Sequence, residues 1–337
     1  METRRWELSE FGLEHLARQS VTLPDPAPGH VRLAVKAISL NYRDLLVVRG
    51  HYNPKLPLPA VPISDAAGVV EAVGDGVTRV APGDRVMTHF VADWLEGSFR
   101  ADYLATTLGT PGPGLAADHA ILNAEAVLPI PAELGFAAAA TLPIAGLTAW
   151  SALTTDGGAQ PGNTVLTLGT GGVSIFAVQL GRAMGLDVIV TSSSEAKLDK
   201  VRGLGATAGI NYRSQPAWER EVLARTDGRG ADVVVENGGA GTLTQSLRAV
   251  RAGGTVAMLG ALTGLRAEID IAPILMKRVR VQGIMVNHRR AFEELLAFVL
   301  QHRITPVIEA SFGFDELPQA LEHMAAGSHF GKIVVVL

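Results

Sequence analysis

The sequence predicts an α/β protein in two parts, a β-rich barrel or sandwich and a doubly wound parallel sheet flanked by helices. Three observations carry this. Residues 1–126 hold short apolar runs separated by Gly, Pro and Asp, with no long helical pattern between them. Residues 127–287 instead alternate apolar runs with segments of helical spacing. The chain then closes on another apolar run, 332-KIVVVL-337, which needs a sheet to join; the first part is the natural one.

The elements follow in order. In the first part 31-VRLAVKAISL-40, 68-GVVEAV-73 and 84-DRVMTHF-90 read as strands, with dense turns at 24-PDPAPG-29 and 111-PGPG-114. In the second, strands are expected at 164–168, 187–191, 208–212, 232–236, 255–259 and 279–286, and 173-VSIFAVQLGRAM-184 reads as a helix. Six such strands suit a full dinucleotide-binding domain. Beyond it, 291–301 and 315–327 read as helices, the second closed by Gly327. The expected division is therefore 1–126 with 288–337 as one domain and 127–287 as the other.

Composition narrows the function. The 337 residues allow two or three domains, each with its own core. Hydrophobic residues at 47% and charged residues at 18% exclude a disordered chain. The absence of cysteine excludes disulfides, thiolate nucleophiles, Fe–S clusters and cysteine-based zinc. A net charge of -4 gives no footprint for nucleic acid or an anionic membrane. The start, METRRWELSEFG, lacks the apolar core of a secretory signal, so a cytoplasmic protein is expected. Leu134–Thr155 is uncharged and long enough to span a bilayer. It is Ala/Thr/Gly-rich, however, and holds Pro143 and Gly146, so it reads as buried soluble structure. No GxSxG elbow is present, and Gly327–Lys332 is too short for a P-loop, with Ile333 where Ser/Thr belongs.

The strongest local signal is 164-TVLTLGTGGVSIFAVQL-180. A strand ends at Leu168, the turn Gly169-Thr170-Gly171-Gly172-Val173 follows, and a helix begins at once. Gly169 permits the tight turn, and Gly171 leaves room for a pyrophosphate. The helix start then offers N–H groups and a positive dipole end to the anion. Ser174 replaces the third glycine and is still small enough for close helix packing. In NAD-binding domains an acid ends the second strand and holds the ribose 2′-OH. Here Ser192, Ser193 and Ser194 fill that region, and Glu195 comes too late. Hydroxyls there, with Lys197, suit a 2′-phosphate, so NADP(H) is expected, with NAD(H) as the alternative. Equally, Ser192 with Glu195 can form a capping box, and Lys197 can be a solvated helix residue.

At this point the sequence resembles the medium-chain dehydrogenase/reductase superfamily, in its zinc-free quinone oxidoreductase and enoyl reductase branch. The resemblance runs through 41-NYRDLLVVRGHY-52, 62-PISDAAGVVEAVGDGVTRVAPGDRV-86, 142-LPIAGLTAW-150, the glycine turn, 204-LGATAGINY-212 and 329-HFGKIVV-335. It implies a GroES-like β-barrel catalytic domain built from both chain ends, a Rossmann domain between them, and a cofactor cleft at their junction. It also implies a homodimer paired along the last Rossmann strand, near 281-VQGIMV-286. Relatives that hold catalytic zinc use Cys, a Gly-His-Glu segment and a second Cys. Here Asn41, Ser64, Asp65 and Ile144–Ala145 stand at those places, and the four-cysteine structural lobe is missing, so no metal is expected. The nine histidines form no HxxxH pair.

The family pattern Asn-x-x-Asp…Gly-x-Tyr maps onto Asn41, Asp44, Gly50 and Tyr52. The resemblance implies that Asn41 and Tyr52 line the substrate side of the nicotinamide, orienting the substrate oxygen; Asp44 either joins them or anchors the turn. Leu46 stands where some quinone reductases carry a further Tyr, which implies a more apolar pocket. Trp94, Phe99 and Tyr103 in the insertion 91–114 either line that pocket or pack the loop. Cofactor contacts are expected at Thr148, Tyr212, Asn237, Gly238, Leu259, Gly260, Ala261, Leu262, Met285, Val286, Phe330, Gly331 and Lys332; alternatively Thr148 bonds its own helix backbone, Tyr212 ends a strand, Met285 and Val286 are interface core, and Phe330–Lys332 begin the last strand. Without a metal, hydride addition to an isolated carbonyl leaves an alkoxide to stabilise, whereas a quinone or enone gives a delocalised anion. The expected function is thus NADPH-dependent reduction of a small-molecule quinone or α,β-unsaturated carbonyl. An NAD(P)-dependent alcohol dehydrogenase is one alternative. A non-catalytic NADP-binding sensor or structural protein is another.

Overall fold

The computed structural model describes residues 1–337. Two compact units emerge: 1–145 with 288–294 and 308–337, and 146–287 with 295–307.

The first unit begins with a hairpin of β1 (Glu2–Leu8) and β2 (Leu16–Thr22). Its sheet then takes β3 (His30–Ser39), β4 (Asp65–Val73), β5 (Arg85–Thr88), β6 (His119–Asn123) and β7 (Val127–Pro129). β3 pairs with β4, β4 with β5 and β5 with β7. β7 follows β6 after the short turn Ala124–Ala126, and β6 pairs back onto β3. β3 thus pairs with β4 and β6 and, near its end, with the last strand of the chain, and of the two expected forms the sheet is the barrel.

The second unit holds β8 (Thr164–Leu168), β9 (Asp187–Ser192), β10 (Ala208–Asn211), β11 (Ala231–Glu236), β12 (Val250–Met258) and β13 (Arg280–Gly283). All pair in parallel, in the order β10-β9-β8-β11-β12-β13. This is the doubly wound arrangement, with β8 beside the reversal of strand order where ligands bind. β8 and β11 are buried along their whole length, as expected of a parallel sheet covered on both faces. Leu166, Ile189, Val234 and Val256 from the strands pack with Trp218 and Leu247 from the helices. β13 forms the outer edge. Around it Val281 and the preceding Leu275 and Met276 are exposed.

The chain returns to the first unit with β14 (Ile308–Gly313), a strand the periodicity does not reveal, and β15 (Lys332–Val336). β15 runs between β14 and the second half of β3, so the closing strand does join the first sheet.

Several expected boundaries move. The first unit extends past 126, because β7 pairs with β5 and the helix Phe136–Ala140 packs against β3 and β4. Residues 295–307, expected in the first domain, cluster with the second unit; the helix Arg289–Gln301 is shared between the two. The strand expected over 279–286 ends at Gly283, and Val286 has φ 34°, which a strand does not accommodate. The stretch 134–155 is broken into the helix Phe136–Ala140, a π turn at Leu142–Gly146 and the helix Leu147–Leu153. No helix is long and apolar enough to cross a membrane.

Candidate active site

Sheet register assembles a polar cluster in the first unit. Ser39, the last residue of β3, lies opposite Asp65 at the start of β4 and opposite Val334 near the start of β15. The residues just beyond Ser39 therefore meet Asp65 on one side and Lys332 on the other. Asn41 starts the helix Tyr42–Val48, and its backbone N–H donates to Asp44 Oδ2 at 2.8 Å, the carboxylate half of a capping box. Asp44 Oδ1 accepts from Ser64 Oγ at 2.7 Å. Asp44 thus anchors the turn, the second of the roles considered for it.

The Asn41 side chain lies between two opposite charges. Its Nδ2 donates to Asp65 Oδ2 at 2.8 Å, and its Oδ1 accepts from Lys332 Nζ at 2.7 Å. Lys332 Nζ also donates to Leu40 O at 2.6 Å. The π turn presents the Ile144 N–H to Asp65 Oδ2 at 3.2 Å. Asp65 Oδ1 is buried with no partner. Arg43 donates to Ser64 Oγ, to Leu108 O at 3.1 Å and to Thr110 O at 3.3 Å. Its guanidinium lies 4.4 Å from the Tyr52 ring and 4.8 Å from that of Phe90. Tyr52 is therefore tied to the cluster through Arg43 while the residue stays 43% exposed.

Lys332, Asp65 and Asp44 are all buried. Burial pushes the Asp65 carboxyl up to about 7, against the pull of Lys332 and Asn41, and pushes the Lys332 ammonium down to about 8, against Asp65 and Asp44. Burial also raises Asp44, opposed chiefly by Arg43. Between the unfolded value of 3.8 and about 7, the folded chain keeps a proton on Asp65 that the unfolded chain has released. That contribution to stability is present at low pH and is lost as pH rises through about 7. Asp65→Asn stays neutral throughout. Its Tm relative to the native chain is therefore expected to improve steadily from pH 4 to 7 in thermal melts; a constant difference would show that Asp65 does not titrate there.

A zinc ion does not fit this donor set. Both polar atoms of Asn41 and the Ser64 hydroxyl are engaged, the third ligand place is apolar, and the chain's own ammonium lies against Asn41. No group of three His, Asp or Glu side chains could hold a metal.

The second unit presents the glycine turn. Gly169 has φ 75°, and its N–H donates to Thr191 O at 2.9 Å. Gly171 precedes the helix Gly172–Ala183, which no side chain caps. A Cβ on Gly169 or Gly171 would meet no atom within 4 Å, so the space over the turn is open. Ser174 is buried and donates to Leu168 O at 2.7 Å, which explains the small residue there. Asn237 Nδ2 donates to the same carbonyl at 2.7 Å and to Ser174 Oγ at 3.1 Å. Open backbone donors at a helix start fit a dinucleotide pyrophosphate.

The remaining expected contacts fall as follows. Ser192 ends β9, buried, and its hydroxyl accepts from Ser194 N at 3.3 Å. The capping box Ser192–Glu195 does not form. β9 ends at Ser192, so Ser194 becomes the cap of the helix Glu195–Leu204 and accepts from Lys197 N, while Glu195 accepts from Asn211 Nδ2. Ser193 and Lys197 are half-buried. Tyr212 is 42% exposed, and its N–H donates to Ser192 O, which places it beside the serines. The loops after β11 and β12 are joined: Leu262 N donates to Asn237 O and Thr263 N to Gly238 O. Thr148 is buried in the helix Leu147–Leu153, and Val286 is buried beyond β13. Trp94 stacks on Tyr103, and Phe99 meets both rings edge-on, the packing alternative. Lys332 begins β15, the second of the places considered for it, and its ammonium lies in the Asn41 cluster.

Sequence reasoning missed Asp65 and Arg43 as members of the site, and Glu236. Buried Glu236 accepts from Gly238 N, Gly239 N, Thr242 Oγ1 and Ser246 Oγ, fixing the loop that carries Asn237. The available signal was an acid ending an otherwise apolar strand, and another opening one.

Residues 27–132 match the family model described as the alcohol dehydrogenase GroES-like domain, and residues 172–301 that of the zinc-binding dehydrogenases. A zinc-type alcohol dehydrogenase-like protein of Schizosaccharomyces pombe is 38% identical over 96% of both chains. A quinone oxidoreductase-like protein 2 homolog of Nematostella vectensis is 28% identical, over 97% of this chain and 87% of that one. A provisionally named alcohol dehydrogenase from Sinorhizobium meliloti 1021 superposes with TM-score 0.93 at 41% identity, over 100% of this chain and 99% of that one. With this likeness over its whole length, a glycine turn in a doubly wound sheet and a GroES-like barrel, the chain belongs to the medium-chain dehydrogenase/reductase superfamily of nicotinamide-dependent oxidoreductases.

Proposed function

We propose that the protein is a zinc-independent, NADPH-dependent reductase of conjugated acceptors, a quinone or an α,β-unsaturated carbonyl. The observation that supports this reading is the buried cluster in which Asp65 and Lys332 engage both ends of the Asn41 amide, Asn41 and Asp65 being two of the positions that the resemblance matches to zinc ligands. The dinucleotide, when bound, supplies a hydride. The protein's part is to hold the pyrophosphate on Gly169–Val173 and to steady the oxygen of the acceptor. Asn41 and Tyr52 carry the donors for that oxygen. Neutral donors suffice for a delocalised enolate or phenolate far better than for a localised alkoxide. The test is reduced-cofactor consumption with enones, quinones and ketones, before and after chelation, with zinc content measured on the same sample. Enone or quinone turnover insensitive to chelator is expected. Chelator-sensitive alcohol turnover with one zinc per chain would overturn the reading and favour the second one, an NAD(P)-dependent alcohol dehydrogenase; the names of the S. pombe and S. meliloti proteins support alcohol dehydrogenase activity without naming a cofactor.

The preference for NADP(H) rests on β9, which ends in Ser192 with no acid to receive a ribose 2′-OH. Lys197→Ala is expected to weaken NADPH more than NADH, and Ser192→Asp to move the preference about tenfold toward NADH, the size of one charge-assisted hydrogen bond. Equal losses for both cofactors would reduce these residues to helix capping.

A further inference from the structure

We propose that Lys332 and Asp65 are positioning residues: they lock the Asn41 amide in one orientation between an ammonium and a carboxylate, so that its second N–H is the donor presented to the substrate oxygen. This rests on the reading of Asn41 as a substrate-side donor. The geometry is specific. An amide has one acceptor end and one donor end, and an Asn on a solvated surface can exchange them by flipping. Here the acceptor end meets Lys332 Nζ at 2.7 Å and the donor end meets Asp65 Oδ2 at 2.8 Å. The flipped amide would set N–H against ammonium and oxygen against carboxylate. Both charged partners are themselves fixed, Lys332 by Leu40 O and Asp65 by Ile144 N. Arg43 lies 3.8 Å from Asp44 and balances it, which leaves Lys332 and Asp65 as a matched pair around the amide. Nδ2 carries two hydrogens and gives one to Asp65; the protein provides no acceptor for the other. Lys332 thus supplies a cation that acts through Asn41.

The test compares Lys332→Met, Lys332→Arg and Asn41→Ala in the full chain. It reads kcat and KM for an enone at saturating NADPH, the NADPH Kd by fluorescence, and the Asn41 side-chain amide pair in a 15N spectrum, assigned by its loss in Asn41→Ala. For Lys332→Met, kcat is expected to fall about 100-fold, the usual cost of a misplaced group, with NADPH Kd within about threefold. Its amide pair shifts, and Lys332→Arg recovers most of the rate. If methionine leaves Asp65 uncompensated and the chain does not fold, Lys332→Met/Asp65→Asn removes both charges together, and the same readings apply. An unchanged kcat with NADPH Kd weakened about tenfold or more would overturn the proposal and make Lys332 a cofactor-phosphate ligand. Unmoved amide signals would overturn it as well. Loss of rate in Asn41→Ala but not in the Lys332 variants sinks the positioning role alone, whereas full rate in Asn41→Ala sinks the substrate-donor reading beneath it.

Discussion

Asn41→Ala is expected to lower kcat about 100- to 1,000-fold at saturating cofactor, the cost of deleting one donor to a developing oxyanion. NADPH affinity is expected to stay near the native value, because the glycine turn belongs to other residues. The variant also removes one partner from Lys332 and one from Asp65, each buried and ionisable. Leaving such groups short of a partner costs about 1–3 kcal/mol, so a lower Tm accompanies the loss of rate. Steady-state kinetics corrected for folded fraction separate the two effects. A kcat that survives this correction unchanged would remove Asn41 from the chemistry.

Gly171→Asp is expected to move stability and binding in opposite directions. Gly171 has φ -79° and ψ -175°, an extended conformation open to any residue, and a Cβ there meets nothing within 4 Å. Asp is a preferred helix cap, and the helix Gly172–Ala183 has none, so the substitution adds a few tenths of a kcal/mol and a favourable dipole contact. The same carboxylate takes the N–H groups a pyrophosphate would use and repels it. Losing one or two charge-assisted hydrogen bonds amounts to about 3 kcal/mol, or about 100-fold in Kd for NADPH. Fluorescence titration beside a thermal melt gives both numbers from one sample. Native-like affinity with a raised Tm would show that the cofactor does not use this turn.

What the sequence reveals depends on how far apart the interacting residues lie. The parallel sheet was legible because each of its strands carries its own apolar run, and because the glycine turn sits locally between β8 and its helix. The domain boundary was not, because β7 has three residues and the helix Phe136–Ala140 reads only as alanine until it is seen against β3 and β4. The choice of Ser194 over Ser192 as cap turned on the single residue at which β9 stops. Asn41 stands out through a short pattern containing it, and Lys332 as the start of the last strand or a neighbour of the cofactor. Their contact joins residues 291 positions apart, which no local spacing encodes. Asp65 drew attention as a ligand that was missing rather than as a charge in use.

The position of β15 bears on the order in which the chain is made. β15 fills the slot between β14 and the second half of β3, and its first residue carries the ammonium that meets Asn41. During synthesis all six strands of the parallel sheet leave the ribosome before β15 does, and they can pair as they emerge. Over that interval the rim of β3 at Ala37–Ser39 has no neighbour on that side and Asn41 lacks its cation. The nascent first unit thus waits with an open seam, the kind of edge that recruits strangers, until Lys332–Val336 has been translated.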